Sequence, residues 1–297
     1  MATRYDPAAR PGPHVGVGSH NRFGDGLRPH PGERAVLSVV VPAKNEAAGL
    51  PALVDEIARA LRPLVSRGDA GPHRLDGFEI LVVDDGSTDD SWSVLGRLSA
   101  SYPELRPIRL ASNTGQSTAT SAGFARASGN WVANLDADLQ NDPADLARLW
   151  DALPGHDAAL GWRLKRRDVW TKRAISKVAN RVRNAVLGQS ILDTGCSVRI
   201  YPAAVARRLP AFHGVHRFFG PLLLREGCRI VQLPVHHRPR GHGQSHYNIW
   251  NRSIRVVVDL FGVAWLMRRP VRYEVAEDPR GASASAPSMA ATARQEA

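Results

Sequence analysis

One stretch of the chain combines residue types and spacing that can do chemistry. Trp131-Val132-Ala133-Asn134-Leu135 is largely apolar and runs directly into Asp136-Ala137-Asp138-Leu139-Gln140. Two carboxylates one residue apart at the end of a buried strand put hard oxygen ligands at the lip of a sheet. Mg²⁺ and Mn²⁺ favour such ligands and bind carboxylates together with ligand phosphates. Gln140 adds a neutral oxygen, and Asp142-Pro143 marks an exit turn that can start a helix. A lone Asp-x-Asp is also a common acidic turn, so the surrounding elements decide its meaning.

Those elements repeat. Val36 to Pro42 is a short β-branched run closed by proline, as in a buried parallel strand. Lys44-Asn45-Glu46 follows, and Leu50, Leu53, Val54, Ile57, Leu61 and Leu64 then recur at helical spacing. Phe78 to Val83 reads as a second strand, ending at Asp84-Asp85-Gly86-Ser87-Thr88-Asp89. Trp92, Leu95 and Leu98 predict a helix, Ile108-Arg109-Leu110 a third strand, and Ala119 to Ala127 a helix entered through Asn113-Thr114-Gly115-Gln116. The Trp131 run is the fourth strand. This alternation predicts an α/β fold, a mostly parallel central sheet with helices on both faces. Ligands of such sheets bind beyond the carboxyl ends of the strands. Asn45-Glu46, Asp84-Asp85 and Asp136-Ala137-Asp138 all fall at that edge, and three clusters in register point to a site.

The second half is basic. Asp157 to Trp162 reads as a fifth strand. Arg163 to Arg183 then carries nine Lys or Arg residues against one Asp, with Ala174, Val178, Ala179, Val182, Val186 and Leu187 at helical spacing. Between Thr194 and Val258 the only carboxylate is Glu226. Val256 to Met267 is apolar but short, and arginines flank it at 252, 255, 268 and 269. It fits either a helix lying in a membrane interface or a terminal helix facing the core. His236, His237, His242 and His246 lack helical spacing and a cysteine partner, so they are not read as a metal cluster.

The chain has 297 residues, a formal net charge of +11 and a pI near 10.5, which asks for an anionic partner. Its two cysteines, Cys196 and Cys228, form neither a zinc pattern nor a disulfide scaffold and read as reduced core residues of a cytosolic protein. Residues 1–34 and 273–297 read as disordered tails. The first has no apolar h-region, and no apolar run is long enough to span a bilayer. Between the tails the expected organisation is a catalytic domain over 35–247 and an amphipathic, membrane-proximal helix over 248–272.

Taken in order, Val41-Pro42-Ala43-Lys44-Asn45-Glu46, Asp84 to Asp89, Asn113-x-Gly115 and Asp136 to Gln140 resemble the family 2 glycosyltransferases, in particular the polyprenyl-phosphate branch typified by dolichol-phosphate mannosyltransferase. Asp193 to Arg199 and Arg238 to Tyr247 agree, although Cys196-Ser197 and His246 depart from the usual residues of that branch. The resemblance covers roughly Val36 to Trp250. It implies a glycosyltransferase A-type, nucleotide-diphospho-sugar transferase fold. Carried over by position, Pro42, Asn45, Glu46, Asp84, Asp85 and Asp136 bind the nucleotide sugar, and Asp136, Asp138 and Gln140 hold Mg²⁺ or Mn²⁺ on its diphosphate. Asp136, Asp138 and Asp193 carry the catalytic roles, though Asp193 suits a structural cap equally well. Arg163, Arg173 and Ser176 receive a lipid phosphate, while Arg199, Arg238 and Ser245 face the diphosphate or the acceptor.

The activity so implied is inverting transfer of a sugar to a polyprenyl phosphate by an enzyme peripheral on the cytoplasmic face of an anionic membrane. A second copy or an integral membrane protein is left open as a partner. A family 2 enzyme acting on a polysaccharide or soluble acceptor is the alternative within the class. A nucleic-acid-binding protein would explain the charge but not three carboxylate clusters at one sheet edge, and a catalytically inactive recruiting subunit would not need Asp136, Asp138 and Gln140 intact. No G-x-G-x-x-G follows the first strand, so a dinucleotide dehydrogenase is disfavoured.

Overall fold

The computed structural model describes residues 33–67, 74–163, 181–189, 191–238 and 249–269. Its centre is β1 (Val36–Ala43), whose Val39 and Val41 enter one core while Val40 enters the other. This is the two-residue side-chain period of a strand buried on both faces. Parallel to β1 lie β2 (Gly77–Asp84) on one side and β4 (Trp131–Asn134) on the other, with β3 (Leu105–Arg109) parallel to β2 at the edge. Helix α1 (Leu50–Ser66) follows β1, α2 (Ser91–Ser99) follows β2, α3 (Gln116–Arg126) follows β3 and α4 (Ala144–Asp151) follows β4. The sequence predicts this alternation, but β3 begins three residues before the expected Ile108-Arg109-Leu110, α3 begins at Gln116, and the turn at Asp142-Pro143 does lead into a helix.

The sheet continues past β4 with three strands, two of which hydrophobic pattern did not reveal. β5 (Ala158–Arg163) was expected, but it pairs with β6 (Arg199–Pro202), which runs antiparallel between β4 and β5, and with β7 (Ile230–Val235), parallel to it at the far edge. The full order is β3-β2-β1-β4-β6-β5-β7. β6 is four residues long and opens on an arginine, so it lacks a strand signature. β7 carries Pro234, which is tolerated because β7 is an edge strand. Four of the six strand pairings are parallel, so the sheet is mostly parallel with one reversed strand.

Two cores cover the two faces. On one, Leu50, Leu53, Ile57 and Leu61 of α1 meet Leu146, Leu149 and Trp150 of α4, with Trp131 edge-on to Trp150 at 5.7 Å. On the other, Phe124 of α3 meets Tyr201, Phe219 of α7 (Phe219–Arg225) and Val205 of α6 (Ala203–Arg208). Residues 181–187 form a further helix, α5. The last helix, α8 (Ile249–Met267), faces the core along one side, as one of the two expectations for it had it. Leu260, Val263 and Ala264 are buried in the second core, while Val257, Val258, Phe261 and Trp265 are 50–64% exposed. No helix among the described residues is long and apolar enough to cross a membrane.

Helix α3 lies close on β1 because Gly123 faces Val40. A Cβ at that position would stand 2.3 Å from Val40 Cγ1. Gly123→Ala should therefore lose stability: overpacking costs about 1–3 kcal/mol against a helix-propensity gain of roughly 1 kcal/mol. Gly96→Ala on α2, where nothing lies within 4 Å, should gain up to about 1 kcal/mol. Urea unfolding of both variants checks the contrast, and equal shifts would refute close packing at Gly123.

Candidate active site

The carboxyl ends of β1, β2, β3 and β4 converge on one edge, and the loops leaving them are tied to one another. Asp84 is fully buried and its Oδ1 accepts the Ser87 N–H at 3.0 Å, closing the turn after β2. Asp85 reaches across to the loop before α3. Its Oδ1 accepts from Thr114 N–H (2.7 Å) and Thr114 Oγ1 (3.0 Å), and its Oδ2 accepts the Gly115 N–H (2.8 Å). Between them Gly86 sits at φ +63°, and a Cβ there would lie 2.6 Å from the Asn113 nitrogen. Only glycine combines that left-handed backbone with so close an approach. Asn45, also left-handed at φ 54°, donates its N–H to Ser87 Oγ and accepts from Thr88 N–H, while Glu46 N–H donates to Ser91 Oγ. Pro42, Asn45, Glu46, Asp84 and Asp85 are thus brought together, with Asp84 and Asp85 bracing the loops.

The Asp136-Ala137-Asp138 loop leaves β4 beside them. Gln116, the first residue of α3, donates Nε2–H to Asp136 Oδ1 at 2.8 Å. Ser197 also hydrogen-bonds the Asp136 carboxylate, and Ser197 Oγ accepts from Asn141 Nδ2 at 2.8 Å. Burial and the neighbouring Asp138 charge raise the Asp136 pKa, opposed by the Ser197 bond and by Arg199 and Arg163 nearby. Asp138 Oδ1 accepts the Gln140 N–H, and Leu139 between them is held at φ 57°. Such strain persists only where surroundings over-determine the backbone. Arg238 supplies much of that hold: its N–H donates to Gln140 O at 2.7 Å, and its guanidinium bridges Glu56 of α1 and Asp142. Neither Gln116 nor Ser197 stood out in the sequence. Their positions, after an Asn-x-Gly turn and inside the Asp193–Arg199 motif, were the available signal.

Asp136 and Asp138 put two carboxylates at the end of β4 with Gln140 two residues on, a set that offers only hard oxygen ligands, and burial followed by the Asp138 charge disfavours the ionised Asp136. Among the described residues no group of three His, Cys, Asp or Glu makes a closed metal cage. The residues fit a hard divalent cation that completes its shell with ligand phosphate and water.

Beyond the carboxylates lies a cationic region. Arg163 grips Asp193 through Nε (2.7 Å) and Nη2 (3.0 Å). Burial works against the Arg163 charge, yet this fork holds its pKa above the ordinary value. The two residues, read from sequence in separate roles, form one pair. Arg199 is 3% exposed and donates to the carbonyls of His216 and Thr194, with its guanidinium 5.4 Å from the Phe219 ring. It lies beneath the site and acts on it through its charge. Arg183, from α5, donates to Thr194 Oγ1. Ser117 Oγ meets His216 Nδ1 and accepts the Gly214 N–H, joining α3 to this region. His236 is taken up by buried Asp145. Burial pushes the Cys196 thiol up to about 12, so it is no nucleophile at neutral pH. Arg173, Ser176 and Ser245 lie outside the described residues.

Residues 38–211 match the family described as "Glycosyl transferase family 2". The dodecaprenyl-phosphate galacturonate synthase of Rhizobium johnstonii is 35% identical over 245 residues, 80% of this chain and 68% of that one. Among solved structures, glucosyl-3-phosphoglycerate synthase from Mycobacterium tuberculosis in complex with Mn²⁺, uridine diphosphate and glucosyl-3-phosphoglycerate superposes with a TM-score of 0.55 at 18% identity, over 86% of this chain and 88% of that one. The same enzyme with Mn²⁺ and uridine-diphosphate-glucose gives 0.56 at 20% identity, over 78% and 79%. At that identity the likeness concerns the fold alone, which is of the glycosyltransferase A type.

The raised Asp136 pKa makes the site a cost to stability. Its unfolded carboxyl titrates near about 3.9 and its folded carboxyl higher, so stability falls as pH rises through that window. In chelator, Asp136→Asn should melt above the wild type at pH 7, with the gap closing as pH falls toward about 4. Calorimetric melting across that range checks it, and a lower melting temperature at pH 7 would overturn the charge argument.

Proposed function

The chain belongs to glycosyl transferase family 2, and from that premise we propose that it transfers a sugar from a nucleotide-diphosphate donor to a polyprenyl phosphate with inversion. The observation that carries the reading is the adjacency of two opposite sites. Asp136 and Asp138 at the tip of β4 suit the donor diphosphate through a cation, and the basic region around Arg163 beside them, with Arg199 buried beneath, suits an anionic acceptor. The Rhizobium relative bears the name of a dodecaprenyl-phosphate sugar synthase, which supports the same acceptor class.

Asp136, Asp138 and Gln140 would hold Mg²⁺ or Mn²⁺, and the Mn²⁺ in the Mycobacterium tuberculosis complexes supports a divalent ion here. When bound, the ion would neutralise charge gathering on the departing nucleoside diphosphate. The loops carrying Pro42, Asn45, Glu46, Asp84 and Asp85 form the donor's nucleotide pocket, with Asp85 fixing its shape through Thr114 and Gly115. Arg163, oriented by Asp193, together with Arg173 and Ser176, presents the acceptor phosphate. A phosphate monoester has its second pKa near about 6 and is mostly dianionic at neutral pH, so it needs no general base. One of its oxygens attacks the anomeric carbon. The bond to the donor diphosphate breaks, and its electron pair leaves with the nucleoside diphosphate. The protein's task is alignment of two anions that repel each other. Exposed Phe261 and Trp265, followed by Arg268 and Arg269, support peripheral docking on an anionic membrane surface, which this reading places on the cytoplasmic face.

The test is a panel of nucleotide sugars incubated with undecaprenyl phosphate and Mn²⁺ or Mg²⁺, read by mass of the lipid product. One donor should yield a polyprenyl-phosphate sugar, and chelator should abolish it. Asp138→Asn should lower turnover by about 10²–10³-fold with the melting curve intact. Full turnover in Asp138→Asn, or in excess chelator, would remove the metal role.

A further inference from the structure

Beyond β7 the chain keeps a strand's two-residue period, and every second residue is spent on the connection from β4 to α4. The Pro234 carbonyl accepts from Arg148 Nη1 at 3.0 Å. His236 N–H donates to Asp145 Oδ2 at 2.6 Å, and His236 Nδ1 lies 3.2 Å from Asp145 Oδ1. Asp145 is fully buried in the first turn of α4. Arg238 N–H donates to the Gln140 carbonyl at 2.7 Å, and His237 pairs with Asn141 in an antiparallel bridge. Residues 140–142 and 236–238 thus lie side by side.

The Arg238 guanidinium fastens this arrangement to a third element. Its Nη1 donates to Glu56 Oε2 of α1 at 2.7 Å, across 182 positions of sequence, and its Nη2 lies 2.9 Å from Asp142 Oδ2. Asp142 Oδ1 in turn accepts the Ala144 N–H at the entry to α4. Burial disfavours the Arg238 charge, yet the bonds to Glu56 and Asp142 hold its pKa above the ordinary value. The guanidinium is thus engaged by the protein's own carboxylates rather than by a diphosphate or an acceptor. Two backbone donors connect this residue to the Asp-x-Asp loop: Arg238 N–H reaches Gln140 O, and Gln140 N–H reaches Asp138 Oδ1 at 3.1 Å. Leu139 lies between Asp138 and Gln140 at φ 57°, a conformation that leucine keeps only under constraint.

We propose that Arg238 is a positioning residue for the metal site and that Glu56 is its anchor. Together they hold Leu139 left-handed and so keep the Asp138 carboxylate where a divalent ion needs it. This rests on the metal reading of Asp136, Asp138 and Gln140 above, and it moves Arg238 from the ligand-facing role expected from sequence to a supporting one. Outer contacts of this kind orient a ligand residue without touching the ion.

Two measurements on the full chain test it. One is Mn²⁺ titration followed by electron paramagnetic resonance, and the other is amide hydrogen exchange of residues 136–142 without metal. Arg238→Ala and Glu56→Gln should each weaken Mn²⁺ binding about ten- to hundredfold. Both should speed exchange in 136–142 while β1 and β2 exchange as in the wild type, a pattern that general unfolding does not give. Arg238→Lys keeps the charge but loses the fork that spans two carboxylates, so it should fall between. Asparagine tolerates the left-handed backbone better than leucine. Leu139→Asn in the Arg238→Ala background should therefore restore Mn²⁺ affinity several-fold and slow the loop's exchange, a gain that damage to the fold cannot imitate. Wild-type Mn²⁺ affinity in Arg238→Ala or Glu56→Gln would overturn the proposal. Unchanged exchange in 136–142, or no gain from Leu139→Asn, would do the same. If the wild type binds no Mn²⁺ while exchange responds as described, the hold on the loop stands and the metal reading falls.

Discussion

Two like charges one residue apart, at the open end of a buried strand, are the constraint on which the rest of the molecule turns. Asp136 and Asp138 repel each other, and burial makes the repulsion worse. Left alone, such a loop would relax outward into water. Here it is held on three sides. Gln116 comes from the start of α3, Ser197 and Asn141 from a cross-link to the strand entering β6, and Arg238 from the segment after β7. Each of these elements occupies its place because one of the two cores is filled correctly. The chemistry at the edge therefore inherits its precision from packing on both sheet faces.

The sheet divides into halves of different character at the β4–β6 seam. On one side β3, β2, β1 and β4 are all parallel, and every loop at their carboxyl ends reaches a neighbouring loop through side chains. On the other side β6 is reversed, so the segment entering β6, with Asp193, Thr194 and Ser197, arrives at the same edge from the opposite chain direction. This reversal brings Arg163, at the end of β5, against Asp193, before the start of β6. A purely parallel sheet would have needed a crossover helix between those two residues. Ser117 and His216 then fasten the halves together below the cleft.

The first half was legible from sequence because its signals are local. Val36 to Pro42 and Phe78 to Val83 are continuous apolar runs, and each ends in the polar cluster that marks the edge. The second half was less legible because its strands are short and carry Arg199 and Pro234 where a pattern reader expects apolar residues. Individual side chains divide in the same way. Asp136 and Asp138 drew notice by their spacing at a strand end, and the clusters at the ends of the neighbouring strands gave that spacing its weight. Arg199 looked like a ligand residue, yet it is buried under the site with backbone carbonyls as partners. Gln116 and Ser197 went unremarked because nothing in a one-dimensional pattern says that an amide and a hydroxyl 81 positions apart will clasp one carboxylate. Helix α8 could be read two ways because it is apolar on two faces.

The antiparallel pairing of β5 with β6 has a consequence for how such a chain can diverge. Residues 164–198 leave the sheet at one strand and return at the adjacent one, so their ends are pinned side by side however long the excursion is. Closing a loop costs only about 0.6 kcal/mol more for each doubling of its length. Insertions and deletions between Arg163 and Asp193 therefore leave the register of the sheet and the Ser197 end of the Asp136 clasp largely untouched. The basic half of the molecule can be lengthened, shortened or recharged as a module, while the half that carries the carboxylates stays fixed.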